Sequence, residues 1–502
     1  MCSLLGINVR TIENVIFEES FNTYTPTSLK DFFRDCTGLN EITGLKYLNT
    51  AEVTDMSFMF WNCRNLSSLD LTNFNTAKVE NMSGMFHMCQ KLSSLTLSES
   101  FNTANVTDMS NMFSYCNMLE KLNLSNFNTT KVEDMSYMFY MCQKLTELNL
   151  SNFKTEKVKN MKYMFSYCNM LEKLDLTNFN TAKATNMQEM FKGCSTLQTI
   201  YVSDNFVVTG ITNEDYKKDM FTGCKALPEY GDAKTSSDYA NYKTGYFTKL
   251  VVRNGDERYG VTGETTKLTV DKLVLDDDKD FVAYEPFAAK AASYSRTMNT
   301  GTTWATLCLP FEVSLANQNF RAFKLLSADD ATETVELEEI TTSIAAGTPV
   351  IIKMNEGETE LNFSVANNEI AHEVVSAADG DYQLQGIYTQ KVFDKEADNN
   401  CYIVKGNKLM NPAKLLENTE NKTVGSKPFR AYMVDNSTAP AAGAKMFSIG
   451  FDNDGTTAID NLNTIADDNA IYYDLQGHRL NAPQKGINIV KRGGKTMKVI
   501  IK

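Results

Sequence analysis

The sequence predicts an α/β solenoid, a parallel sheet plus short helical turns, followed by an all-β sandwich domain and a short β tail. Three observations predict it. Eight cysteines, Cys36, Cys63, Cys89, Cys116, Cys142, Cys168, Cys194 and Cys224, recur at intervals of 27, 26, 27, 26, 26, 26 and 30 residues. A fixed period of this size signals stacked units, each burying its apolar face only against the next. Inside each period a two-residue apolar rhythm gives way to a helical one. After Thr248 the period stops, and short alternating segments between turn residues replace it.

One unit reads Leu119-x-x-Leu122-x-Leu124-Ser-Asn-Phe127-Asn-Thr129-x-x-Val132-x-x-Met135-x-x-Met138-Phe139-x-x-Cys142. Leu122 and Leu124 are two apart, the rhythm of a strand with one buried face. Val132, Met135, Met138, Phe139 and Cys142 form a stripe too short for a full helix, so one or two turns of α or 3₁₀ are expected. Asp134, or the equivalent Asn81, Asp108 and Asn160, stands ahead of that turn and is suited to cap it. Twelve of the 24 methionines occupy two columns of the repeat, from Met56 and Met59 to Met187 and Met190. Met fills irregular gaps, so these columns read as core.

The cysteines form a third column. Stacking at ~4.8 Å per strand gives each thiol apolar neighbours above and below, so Cys acts as a small buried hydrophobe. Disulfides between turns are the alternative. A serine in this column is expected to lack a partner for its hydroxyl. Phe113 to Thr129 and Phe165 to Thr181 differ only at Asn123/Asp175 and Ser125/Thr177 and lie 52 residues apart. The array therefore grew by duplicating pairs of units.

The unit resembles that of the BspA-like leucine-rich-repeat surface proteins, over roughly residues 10–249. The segment Val15-Ile16-Phe17-Glu18-Glu19-Ser20-Phe21 and the segment Gly245-Tyr246-Phe247-Thr248 resemble the ends of such arrays. The pattern departs from the commoner leucine-rich unit, which has Asn at its ninth position. Here that position is aromatic, as in Phe74 and Phe127, so the cysteine column takes the interior role. The resemblance implies a leucine-rich-repeat-type solenoid on a bacterial cell surface that binds host or neighbouring-cell molecules, and it implies no catalytic residue.

The domains expected are a repeat array over 1–250, a connecting β segment over 251–280, a sandwich over 281–457 and a tail over 465–502. Leu268 to Leu275, Thr348 to Ile352 and Cys401 to Val404 alternate like strands. Gly380-Asp381, Lys405-Gly406-Asn407 and Asp454-Gly455 mark turns. Trp304, Leu309-Pro310-Phe311 and Phe429-Arg430-Ala431-Tyr432 are the expected core markers. These phrases resemble an accessory β domain found downstream of such arrays in anaerobic Gram-negative bacteria. The last ~40 residues read as three strands with two turns. They resemble the C-terminal sorting module of the type IX secretion route, with an ordinary small β tail as the alternative.

The net charge of -13 speaks against nucleic acid, whose phosphates need a basic face. No stretch approaches the ~20 apolar residues that span a bilayer. The first residues carry no signal-peptide pattern, so Met1 is expected to be internal to a longer reading frame that supplies one. The location expected is the cell surface or the secreted fraction. His87, His372 and His478 are scattered, no triad or metal-ligand spacing is present, and no Walker-type loop appears. Asp276-Asp277-Asp278-Lys279-Asp280 lacks the Gly and Glu of a calcium loop, with Phe281 and Phe287 in their places, and reads as a solvated turn. The expectation is no enzyme, no cofactor and no metal.

Two faces compete to bind a protein or glycan partner. The sheet face carries Ser68, Asp70, Lys121, Asn123, Glu147, Asn149, Lys173, Asp175 and Tyr201. Helical geometry on the turn face points Tyr137 and Tyr140 outward, with Phe58, Trp61, Tyr115, Tyr163 and Tyr167 at matching positions. Tyr137, Tyr140 and Tyr163 are expected to stand largely exposed. Exposed aromatics mark contact sites; the alternative is that they only cover neighbouring turns. A purely architectural spacer, or an enzyme with its site in the sandwich, are the rival functions.

Overall fold

The computed structural model describes residues 8–97, 101–263, 267–330, 332–375, 380–437, 445–449, 471–473, 478–480, 486–492 and 495–501. The chain divides into two units: Met1–Leu250 with Gly260–Thr266, and Val251–Tyr259 with Lys267–Lys502. It is mostly β. Among the described residues the only α-helix is the single turn Pro412–Leu415.

In the first unit, equivalent residues of successive repeats pair side by side. Strand Asn14–Ile16 pairs with Glu41–Thr43, Ser68–Leu71 with Ser94–Leu97, Lys121–Leu122 with Glu147–Leu148, and Lys173–Asp175 with Thr199–Val202, all parallel. The register matches like with like: Leu69 faces Leu95, Leu122 faces Leu148 and Leu174 faces Ile200. Identical spacing in each repeat dictates this, because a slip would turn the buried leucines outward.

The expected helical turn is absent. The segment from Met135 to Cys142 is a run of tight turns with Tyr137 and Met141 in the left-handed region, at φ 57° and 60°. The next repeat has Tyr163 and Tyr167 there, also at 57° and 60°. A left-handed residue every fourth position stops a right-handed helix and swings alternate N–H groups toward the neighbour. The N–H groups of Met135, Tyr137, Phe139 and Met141 donate to the carbonyls of Asn160, Lys162, Met164 and Ser166, at 2.8–3.0 Å. Between them, the N–H groups of Met138, Tyr140 and Cys142 close turns onto Met135, Tyr137 and Phe139. The turn side is thus a second ladder between repeats. The Asp/Asn column starts it as expected: Asp134 Oδ1 accepts the Ser136 N–H at 2.7 Å, and Asn81 and Asp108 do the same for Ser83 and Ser110.

One core runs through all the repeats. Its spine is a column of phenylalanines, Phe33, Phe60, Phe86, Phe113, Phe139, Phe165, Phe191 and Phe221. Neighbouring rings lie near-parallel with centroids 5.2–5.8 Å apart. Stacked pairs add roughly 0.5–1.5 kcal/mol beyond burial.

The second unit is built mainly from antiparallel strands. Nine strands form one sheet in the order Trp304–Leu307, Val350–Met354, Phe320–Asp329, Thr334–Ile340, Met446–Ser448, Lys408–Met410, Cys401–Lys405, Arg430–Asp435 and Tyr382–Ile387. Phe287–Thr297 pairs with Glu360–Ile370 along ten residue pairs and also with the short strands Thr269–Val270 and Leu273–Leu275. Trp304, Leu309, Phe311, Phe429, Ala431 and Tyr432 are buried as expected, while Arg430 is only half-buried. The C-terminal residues differ from the three strands expected: Ile471–Tyr473, Arg479–Leu480, Gly486–Arg492 and Lys495–Ile501 make four, all antiparallel. Residues 465–470 and the tail's turn residues 474–477 and 481–485 lie outside the described residues, as does Asp454-Gly455.

Candidate binding face of the repeats

The interior of the repeats fixes what the surface can present. All eight repeat cysteines are buried and free. They are not merely small hydrophobes. The Cys142 thiol donates to the Phe113 carbonyl of the preceding repeat at 3.2 Å, and Cys63, Cys89, Cys116 and Cys168 repeat the bond at the same distance. Cys194 and Cys224 make it at 3.0 and 2.9 Å. The expectation that a hydroxyl here would lack a partner is therefore corrected: the carbonyl is in place. Burial pushes the Cys89, Cys142 and Cys194 thiols up to about 12, which keeps them protonated and poorly nucleophilic.

A second interior ladder was not anticipated. Thr76, Thr103, Thr129, Thr155 and Thr181 are fully buried. The Thr129 hydroxyl donates to the Lys154 carbonyl at 2.8 Å and accepts the Lys154 N–H at 2.7 Å. Thr103 serves Asn128, Thr155 serves Asn180 and Thr181 serves Val207 in the same two-way manner. The interior of the repeats is thus hydrogen-bonded through both a threonine and a cysteine column. The threonine column has the cysteine column's period, so the signal was present in the sequence.

On the sheet side, Ser68, Asp70, Lys121, Asn123, Glu147, Asn149 and Lys173 are exposed. Lys121 and Glu147 pair across repeats at 3.1 Å. Asp175 is half-buried. Tyr201 is buried, in a strand that pairs on both sides, at Asp175 and at Thr248.

The turn side carries the seven predicted aromatics, and none is largely exposed; Phe58, Trp61, Tyr115, Tyr137, Tyr140, Tyr163 and Tyr167 are all half-buried. The reason is that they pack on one another. Arg34 lies over Trp61 at 4.0 Å. Trp61 meets Phe58 at 4.9 Å and His87 at 5.1 Å, and His87 meets Tyr115 at 5.8 Å. Tyr115 meets Tyr140 at 5.2 Å. Tyr140 also meets Tyr137, Tyr163 and Tyr167 edge-on at 5.4, 5.9 and 6.0 Å. Tyr137 and Tyr163 stack at 4.7 Å with 10° between their planes. The result is a continuous band from Arg34 to Tyr167.

Two glycines are cut to fit the band. A Cβ on Gly84 would lie 2.5 Å from Phe58 Cδ1, and one on Gly193 would lie 2.4 Å from Tyr167 Cδ1. At the far end Glu189 is buried. It accepts the Tyr163 hydroxyl and pairs with Lys192 at 2.6 Å. Burial, then contact with Tyr115, pushes the Tyr140 phenol up to about 12. Burial holds His87 down at about 4, and its Nδ1 has no partner among the described residues. Sequence reasoning missed Arg34, His87 and Glu189 as members of this band.

In the second unit the acidic run is more than a solvated turn. Asp277 takes a bidentate pair from Arg430 at 2.7 Å and also the Tyr294 hydroxyl at 2.5 Å. Burial alone would raise its carboxyl, but the Arg430 guanidinium outweighs burial and holds it below the usual range. Asp276 and Asp280 cap backbone N–H groups of Asp278 and Gln390.

The model of the family described as "Mycoplasma protein of unknown function, DUF285" matches residues 27–142 and 115–231, all within the repeats. No curated protein matches the chain. A crystal structure of a leucine rich cell surface protein from Faecalibacterium prausnitzii A2-165 is similar at 15% identity, over 43% of this chain and 78% of that one. Its TM-score is 0.16, and a likeness at that score carries no argument. No helix among the described residues is long and apolar enough to cross a membrane.

Proposed function

We propose that the protein is a BspA-like cell-surface or secreted binding protein. Its first unit is a leucine-rich-repeat-type solenoid that engages a protein or glycan partner, and its second is an all-β sandwich that carries it. The array has no catalytic role and needs no cofactor. The observation that supports binding is the aromatic band. The repeats bury their phenylalanines, methionines and cysteines in one core, yet five successive ones, from that of Trp61 to that of Tyr167, keep a second, contiguous set of aromatic rings half in solvent. Aromatic rings with one apolar face and one wet edge suit protein and sugar contacts.

A spacer without a ligand is the second reading. It is favoured by the mutual packing of the rings and by the glycines fitted beneath two of them. Capture of glycans and extracellular-matrix proteins by the full chain separates the two. Ala at Trp61 or Tyr140 should cut capture with only a few degrees lost in Tm. Full capture by both variants would leave the spacer reading standing. The surface assignment is tested by protease shaving of intact cells. The sorting role of residues 465–502 is tested by their deletion, which should strand the protein inside the outer membrane.

A further inference from the structure

We infer that Asp435, Tyr402, Tyr382 and Asp330, in the second unit, form a site for a hard, oxygen-seeking cation of the calcium class. Strand Arg430–Asp435 lies between Tyr382–Ile387 and Cys401–Lys405. The register sets Tyr382 opposite Asp435 and Tyr402 opposite Met433. Residues two apart on a strand share a face. The side chains of Asp435, Tyr382 and Tyr402 therefore stand on one face, with Tyr402 and Asp435 as diagonal neighbours. The Phe447 ring holds both tyrosines, at 5.6 and 5.1 Å.

Asp435 is 1% exposed and Tyr402 is 0% exposed. Asp435 Oδ1 accepts the Ser437 N–H at 2.9 Å, but Oδ2 has no hydrogen-bond partner among the described residues, and neither has the Tyr402 hydroxyl. Orphaned buried oxygens are rare because each costs the desolvation it cannot recover. Burial, then the Asp435 and Asp330 carboxylates, push the Tyr402 phenol up, so it stays neutral and both carboxylates stand near it. The Tyr382 hydroxyl donates to Asp330 Oδ1 at 2.7 Å, and Lys445 pairs with Asp330. Two carboxylates against one ammonium leave one negative charge over.

A water molecule would meet the hydrogen bonds and leave that charge. A cation meets both. The donors are carboxylate and phenol oxygens without a sulfur or imidazole among them, which selects a hard ion. Two carboxylates are few, so water completes the shell and the affinity expected is that of extracellular modules, with a Kd of roughly 0.1–1 mM.

The test uses the full chain and terbium as a calcium surrogate, because a tyrosine beside the ion sensitises its emission. Wild type should show terbium emission that calcium competes away, and a Tm raised by several degrees in about 5 mM calcium at matched ionic strength. Asp435→Asn should lose most of that emission and all of the calcium shift. Without metal it should melt above wild type, since the amide removes a lone buried charge. Tyr402→Phe conserves volume and should weaken calcium at least threefold. A wild-type Tm indifferent to calcium, or an Asp435→Asn protein with wild-type emission and shift, overturns the assignment. Should Asp435→Asn not fold, unchanged calcium affinity in Tyr402→Phe overturns it instead.

Discussion

Replacing Thr129 by Val tests the interior ladder at its most exposed assumption, that a hydroxyl rather than a methyl is needed there. The two side chains have nearly the same shape, so packing is almost unchanged. What changes is the Lys154 peptide of the next repeat. Its N–H donates to Thr129 at 2.7 Å and its carbonyl accepts from Thr129 at 2.8 Å. Thr129 is fully buried, and a valine would answer neither group. An orphaned buried donor or acceptor costs about 1–3 kcal/mol, and the gained methyl returns roughly 0.8 kcal/mol. The carbonyl has a second lone pair and is the cheaper orphan. The expected destabilisation is about 2–4 kcal/mol. Thr130→Val is the control: Thr130 is exposed and, among the described residues, its hydroxyl reaches only Asn128 Oδ1, so about 0.5 kcal/mol or less is expected.

Urea unfolding followed by far-UV circular dichroism reads the difference as a fall in midpoint at unchanged m. Equal stability of the two variants would show that the repeat interface does not depend on the hydroxyl. Thr155→Val should repeat the effect, since Thr155 serves Asn180 in the same way.

Other outcomes follow from the same geometry. Cys142→Ser should cost only about 1 kcal/mol, because the hydroxyl inherits the Phe113 carbonyl; thiol labelling of the native chain should reach few of the repeat cysteines, and labelling in denaturant all of them. Gly84→Ala should cost about 2–3 kcal/mol, from a left-handed φ of 59° and a Cβ pressed into Phe58. Adding Phe58→Ala should recover at least about 1 kcal/mol of that in a double-mutant cycle. His87 is neutral in the fold and held at about 4, so its contribution is complete above 6.5 and is lost as pH falls toward 4, when the unfolded chain takes the proton first. The full linkage is roughly 3 kcal/mol, and partial exposure of the ring reduces it to roughly 1–2 kcal/mol. His87→Phe should gain that much on wild type between pH 7.5 and 4.5 in urea midpoints read by Trp fluorescence, and a gap constant with pH would refute it.

The inward columns of the repeat were legible because they depend on spacing alone. Leu, Met, Phe and Cys at fixed intervals have one way to be buried together. The turn side was misread because apolar residues three and four apart fit a helix and also fit a run of turns. The distinguishing signal is a left-handed backbone, and here it is carried by Tyr137, Tyr163 and Phe58, residue types that do not advertise it. Gly84 stands in their column, and Asn62, Gly193 and Gly223 stand in the other left-handed column, that of Met141 and Tyr167; these do advertise it. Read down the column rather than along the chain, they point to turns. The exposure of the aromatics was misjudged for a related reason. Position in one repeat says which way a ring leaves the backbone, while neighbours 26 residues away decide how much of it is covered. In the second unit, Asp277 looked solvated because its partner Arg430 is 153 residues distant.

The pairwise duplication of the array has a physical reading in the band. Tyr140 occupies the column in which the flanking repeats have Ser114 and Ser166, both fully buried. Repeats lie about 4.8 Å apart, too close for three successive tyrosines in one column to lie as Tyr140 does, edge-on to its neighbours. A serine on either side makes the room. Those same flanking repeats place Tyr115 and Tyr167 one residue further on, where each ring meets Tyr140 edge-on. One repeat therefore supplies the central ring and its neighbours supply the gap and the walls, so the smallest unit that reproduces the arrangement is two repeats. Repeating the Tyr140 repeat alone would have preserved the core and lost this arrangement of rings. The rings are held by their neighbours before any partner arrives, so a partner meeting this edge would not have to order them.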